Sequence, residues 1–369
     1  MFAALLRCAT VYSSFSERSA VPVFAFPDWN RNFMTQKANH ILKLGLGLAI
    51  SAFFLYLAFR QIDLNKMGQA LGAVRYLFLL IALLLLFLSH WMRARRHRYF
   101  LEPIKLISTG SLFSALMVGY MANTLLPAHL GELVRAVLIG QKERIPKASV
   151  LATIAVERVV DVFCLLILMG MTFVVYPFPE EIRLSGYLTF VFAAVLVSFF
   201  LFLKKRPEKA LSFVEMISKR LSKKISDKLV EFLGSFRDGL VPLQQPWHYA
   251  FVALLSILLW ACYAGIFFVL FYAFDFVETY HLPWSASLVV LVITTISIVV
   301  PSSPGYVGTY HWLCMVALGL FGVSESPALS FAIVAHAISV LPVSLVGGVL
   351  AWKEGISISK VERSSEQAG

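Results

Sequence analysis

Three ionisable residues, Glu157, Arg158 and Asp161, sit inside VLATIAVERVVDVFCLL at 150–166, among side chains that favour hydrocarbon. Glu157 and Asp161 are four residues apart, so on a helix they share a face. Arg158, three residues before Asp161, can reach the same carboxylate. Charges in an apolar helix are expensive and should face partners or a water-filled cavity. A second set lies just upstream in NTLLPAHLGELVRAVL (123–138), where Glu132 and Arg135 are three apart beside a turn and Asn123 and His129 flank Pro127. A carboxylate and a guanidinium near a broken helix can hold a zwitterionic or anionic headgroup, the arginine forking onto a phosphate. The structural alternatives are an ion-pair cluster around Glu157 and a charge pair that closes the turn onto the neighbouring helix. Because Glu157 begins about two turns into its helix, the functional reading is preferred there.

A third stretch, PSSPGYVGTYHW at 301–312, follows the apolar run SLVVLVITTISIVV. Pro301 and Pro304 lack N–H donors, and Gly305 and Gly308 permit close packing or positive φ. Irregular backbone at membrane depth is tolerated only inside protein or beside water. The stretch is therefore either a tight turn between helices or a break lining a cavity. His311 and His336 take membrane positions in the same half and join the candidate path, although an intramembrane His is often a packing residue held by hydrogen bonds.

The elements that must position these residues follow from composition. Of 369 residues 59% are hydrophobic and 14% charged, with a mean hydropathy of +0.78. This is an all-α polytopic membrane protein, since the apolar runs reach the ~20 residues a spanning helix needs. Full spans are expected near 41–59, 75–92, 150–176, 185–203, 248–273 and 328–352. Residues 1–33 read as a non-native or disordered extension, with synthesis starting at Met34. Residues 34–352 form the membrane domain, and 353–369 a cytoplasmic tail.

Basic residues set the topology, because cytoplasmic loops retain them. Arg93, Arg95, Arg96, Arg98 and Lys105 fall in 93–107, and ten more Lys and Arg fall in 204–247. By contrast 177–184 holds only Arg183, and 274–283 and 322–327 hold none. The first group is expected in the cytoplasm, with both termini, and the second outside. Parity then makes 108–127 and 133–140 a hairpin entering from the cytoplasm, turning near Pro127 and Gly131. The runs 284–300 and 305–321 form a second hairpin that enters from outside and turns near Pro301 and Gly305. Hydropathy leaves each re-entrant or fully spanning. A hairpin followed by a span occurs twice with opposite openings, the pattern of an inverted repeat. Within 204–247, apolar residues recur at helical spacing opposite lysines, as in an amphipathic helix lying on the cytoplasmic leaflet.

The net charge of +11 is met by anionic lipid headgroups, because the basic residues cluster between apolar runs; no nucleic-acid partner is expected. No CxxC or Cys/His ligand spacing occurs, so neither disulfide nor metal is inferred. Without a GxxxxGK[ST] phosphate loop, GxSxG or HExxH, no cofactor, built-in ATPase or enzymatic activity is expected. Taken together, NTLLPAHLGELVRAVLI, ERVVD and PSSPGYVGTYHW resemble the membrane domain of lysylphosphatidylglycerol synthases and the related stand-alone flippase-like proteins, over most of residues 41–352. The resemblance implies movement of a lipid or lipid-linked headgroup between leaflets of the cell membrane. It carries over to Asn123, Pro127, Gly131, Glu132, Arg135, Glu157, Arg158, Asp161, Pro304, Gly305 and Gly308. This chain departs from the family at His311, where an acidic residue is frequent, and at His336, where an Arg is frequent. The implied partners are membrane lipids, anionic or lipid-linked, with a separate synthase or transferase as a further one. The alternatives are a non-transporting scaffold for such an enzyme and a membrane-embedded lipid enzyme.

Overall fold

The structure, a computed structural model, describes residues 52–59, 62–125, 130–176, 206–218, 243–295, 297 and 304–355, with isolated positions between 187 and 202. Pro127, His129 and Pro301, the extension 1–33, most of the expected spans 41–59 and 185–203, most of the amphipathic segment and the tail beyond 355 lie outside the described residues. Helical residues 52–59 precede α1 (Leu64–Gly72), whose first turn is capped by Asp63 accepting from the Asn65 and Lys66 amides. Then come α2 (Tyr76–Leu101), α3 (Thr109–Leu125), α4 (Gly131–Glu143) and α5 (Lys147–Val175). Next are α6 (Pro207–Ser218), α7 (Pro246–Ala273), α8 (Phe276–Thr279) and α9 (Trp284–Thr295). A 3-10 turn at Pro304–Tyr306, α10 (Thr309–Gly319) and α11 (Glu325–Lys353) complete the order. The fold is all-α, and α2, α5, α7 and α11 are long and apolar enough to cross a membrane.

One expectation is corrected by α2. The basic run after Trp91 is not a loop: the helix continues through RARRHRYF to Leu101. Nothing in that run breaks a helix, arginine is a good helix former, and the stop comes only at Glu102 before Pro103. Ala82, Leu86, His90, Arg93, Arg96 and His97 are buried at spacings of three or four residues or as neighbours, while Leu77, Leu80, Leu84 and Leu88 are exposed to the lipid side. Arg93 and Arg96 thus lie on the inward face.

The hairpins open at opposite ends. Their described helices are of 17 and 13 residues (α3, α4) and of 12 and 11 residues (α9, α10), about 16–26 Å at 1.5 Å per residue. Their tips meet part-way along α11, where Thr124 approaches Ser344 (3.4 Å) and His336 holds the Gly305 carbonyl (2.7 Å). The mouth of the first hairpin lies at the C-terminal end of α11, since Ser114 and Lys142 both bond Glu354 (2.7 and 2.8 Å). The mouth of the second lies at the N-terminal end of α11 and the C-terminal end of α5. There Tyr280 meets Ser324 (3.1 Å) and Tyr176 donates to the Leu320 carbonyl (2.7 Å). The inverted arrangement expected from counting Lys and Arg is thus present in the packing.

Small residues let these helices approach, which matters because lipid supplies little hydrophobic drive between helices. A Cβ on Gly119 would stand 2.8 Å from the Gly131 carbonyl oxygen, so α3 and α4 touch backbone to backbone. A Cβ on Gly347 would meet Met121 Cβ at 2.8 Å, which holds α11 equally close to α3.

Candidate functional site

Glu157 and Asp161 lie 10 and 14 residues into α5, roughly 15 and 21 Å along it. They face α2, which brings in the two arginines that sequence reasoning counted as loop charges. Arg93 Nη1 donates to Glu157 Oε1 (3.0 Å) and Asp161 Oδ2 (2.6 Å). Arg96 Nη2 donates to Asp161 Oδ1 (2.6 Å) and more loosely to Glu157 Oε1 (3.5 Å). From the other side Arg135, on α4, donates through Nη2 to Glu157 Oε2 (3.0 Å). All five side chains are buried, Glu157 and Arg96 completely so. The signal for Arg93 and Arg96 was in the sequence: they prolong the buried face through Ala82, Leu86 and His90.

A neutral relay fixes Arg135. Its Nη2 also meets His97 Nδ1 (2.6 Å), and because arginine has only donors, that imidazole nitrogen must be the acceptor. His97 Nε2 therefore carries the proton and donates to Thr153 Oγ1 (3.0 Å), whose hydroxyl donates to the Val150 carbonyl (2.7 Å). About three helical turns of α5, from Val150 to Asp161, are thus tied to α2 and α4 by one chain of polar contacts.

Glu132 and Arg135, adjacent in sequence spacing, do not pair with each other. Glu132 Oε1 accepts from Arg158 Nε, and Arg158 Nη1 also reaches Asp161 Oδ2 (3.3 Å). These two side chains are about one-third exposed (36% for Arg158, 34% for Glu132), unlike the buried cluster behind them. Asn123 closes the first hairpin, its Oδ1 accepting the Gly131 N–H (2.7 Å). Gly131 opens α4, whose last residues carry on to Arg144 in the left-handed region.

In the second hairpin the backbone is bent at Gly305 (φ 72), Tyr306 (φ 58) and Gly308 (φ 92). Positive φ is ordinary for glycine, but Tyr306 carries a Cβ and is held there against its preference. Both histidines support the bend. His311 Nδ1 accepts from the Gly308 N–H (3.2 Å), and His336 Nε2 donates to the Gly305 carbonyl. Their rings lie edge to face at 4.8 Å, with Tyr310 stacked on His336. They are apart from the charge cluster and act on the turn. The two halves approach at Gly305, whose Cβ position is 3.7 Å from Thr124 Cγ2, and Tyr306 lies within electrostatic range of Arg158 and Glu132. Pro304 begins the turn. No group of three or more metal-ligating side chains occurs among the described residues.

The arrangement can offer guanidinium donors well inside the helix bundle, screened by one partly exposed ion pair where the two hairpins meet. A family model, that of the lysylphosphatidylglycerol synthase TM region, matches residues 45–347. The chain is also 24% identical, over 332 residues, to a UPF0104 membrane protein of Methanocaldococcus jannaschii; the match covers 83% of this chain and 94% of that protein.

Proposed function

This chain belongs to the lysylphosphatidylglycerol synthase TM-region family, and we propose that it translocates a lipid or lipid-linked headgroup across the cell membrane. The observation that carries the reading is the partly exposed Glu132–Arg158 pair near the tip of one hairpin, beside the bend of the other. A headgroup entering from one mouth replaces one partner of that pair. Rocking of one hairpin against the other then passes it to the opposite mouth, as alternating access requires. The reaction is movement, not covalent change, and its drive is an ion gradient or the lipid gradient itself. Membrane lipids are the partners, and a separate synthase or transferase would supply a modified one.

Arg158→Gln and Glu132→Gln in reconstituted vesicles are expected to slow lipid movement by about tenfold or more, the cost of one charge-assisted contact. The folded fraction on gel filtration should stay high, because both side chains are partly solvated. Movement at the wild-type rate in both variants would reduce the pair to a clamp between α4 and α5, and the scaffold reading would take its place.

Orientation is a second part of the proposal. The mouth of the first hairpin faces the cytoplasm, following the Lys and Arg excess at that end. In a cysteine-free background Gln141→Cys should react with a membrane-impermeant thiol reagent only from the cytoplasmic side, and Ser324→Cys only from outside. The reverse pattern would invert the direction in which the two mouths are assigned.

A further inference from the structure

The buried cluster does not balance. Arg93, Arg96 and Arg135 contribute three positive charges and Glu157 and Asp161 two negative ones, leaving one positive charge at mid-depth. The partly exposed Arg158–Glu132 pair is neutral in sum, so including it changes nothing. His97 is uncharged by its hydrogen bonds, as shown above. An uncompensated charge in a low-dielectric interior is strongly disfavoured, and the usual remedy is a counter-charge held by hydrogen bonds.

The donors for such a counter-charge are present. Arg135 is 2% exposed, and its Nε and Nη1 have no hydrogen-bond partner; Arg93 Nε and Arg96 Nε are likewise unpartnered. The acceptors are already used: every oxygen of Glu157 and Asp161 receives an arginine N–H. The deficit is therefore specifically of acceptor oxygens bearing negative charge. An ammonium group would find no unoccupied carboxylate oxygen in the buried cluster, whereas an oxyanion would satisfy orphaned donors and cancel the surplus charge.

We propose that this cluster binds one oxyanion of single negative charge against Arg135, either the phosphodiester of an anionic lipid or free inorganic phosphate. Glu132 precedes Arg135 by one helical turn, about 5 Å along α4. The exchangeable Glu132–Arg158 pair therefore lies one turn nearer the hairpin tip than the binding group. The inference rests on the reading of this cluster as the headgroup path and adds a charge selectivity: anionic headgroups enter, and net-cationic ones are disfavoured.

Equilibrium titration of the full chain, purified in a neutral detergent, tests this without transport. The probes are inorganic phosphate and dihexanoyl phosphatidylglycerol below its micelle concentration, with dihexanoyl phosphatidylcholine as the zwitterionic control. The wild type should bind at least one of the two anionic probes saturably and more tightly than the control. Arg135→Gln should weaken that binding by about tenfold, as loss of a charge-assisted donor implies, while Arg135→Lys, which keeps the charge, loses less. Phosphate competing with the lipid identifies a site open to free anions; lipid binding that phosphate does not displace identifies the lipid as its source. Wild type that binds neither anionic probe, or that binds the control equally well with Arg135→Gln unchanged, overturns the proposal. Because the readout is binding, loss of transport with binding intact would remove only the translocation reading. Transport with no anion binding would remove only this inference.

Discussion

Glu157→Gln is expected to destabilise the fold by about 3–5 kcal/mol, the cost of removing one partner from a buried ionic network. The substitution conserves shape and removes one charge. It leaves Arg93, Arg96 and Arg135 facing Asp161 alone, and the buried surplus rises from one positive charge to two. Arg135 suffers most, since Glu157 Oε2 is its only carboxylate contact among the described residues. Thermal unfolding in detergent, followed by the fraction remaining monodisperse, measures the loss. The double variant Glu157→Gln/Arg135→Gln returns the surplus to one positive charge, so it should be less damaged than the two single losses added together, with a coupling of about 0.5–3 kcal/mol. Strict additivity would show that the two side chains do not sense each other and would remove Glu157 from the centre of the network.

Much of this network was legible before the structure. The i, i+4 spacing of Glu157 and Asp161 placed both on one face, and Arg158 does reach Asp161. The opposite openings of the hairpins were legible from the distribution of Lys and Arg, because the same electrostatics that orient a chain also mark its ends. The pairing was not legible. Glu132 and Arg135 were read as headgroup ligands or as charges closing the turn onto the neighbouring helix, and both do reach α5, at Arg158 and Glu157; which partner each takes was not fixed by their spacing. Arg93 and Arg96 were obscured for a related reason: arginines after an apolar run look like headgroup-level residues. What distinguishes them is phase, which holds Arg93 and Arg96 to the buried face while Arg95 between them is exposed.

The histidines carry a parallel lesson. His311 and His336 were grouped with the headgroup path because a polar side chain in a membrane segment calls for a role. Their nitrogens instead hold the two backbone groups that the bend at Gly305 and Gly308 leaves without helical partners. Two imidazoles support the bend, and the surplus charge of the first half has no counterpart among the described residues of the second. The two hairpins share a shape, but their polar chemistry differs.

Gly131→Ala is expected to prevent the first hairpin from closing. The added methyl would be driven into the Gly119 carbonyl oxygen, well inside contact distance, and would stand 2.5 Å from Asn123 Oδ1. A side-chain neighbour could rotate away, but a carbonyl in the middle of α3 moves only with its helix. The α3–α4 separation must therefore widen, and the Asn123–Gly131 hydrogen bond is lost with it. Overpacking alone costs about 1–3 kcal/mol. An unmade bond to a buried backbone amide adds about 1–3 kcal/mol more. The consequence extends beyond stability, because Arg135 follows Gly131 by one turn and reaches Glu157 only while α4 lies against α3. A folded residue of this variant should therefore also bind anions more weakly than wild type. Gly68→Ala is the matched control: Gly68 lies within α1 with nothing within 4 Å of its Cβ position. There the usual helical preference for alanine should make the change neutral or stabilising by up to about 1 kcal/mol. If Gly131→Ala unfolds no earlier than Gly68→Ala, the close approach of α3 and α4 is not what sets the position of Arg135. The site would then have to be held by the α2–α5 contacts alone.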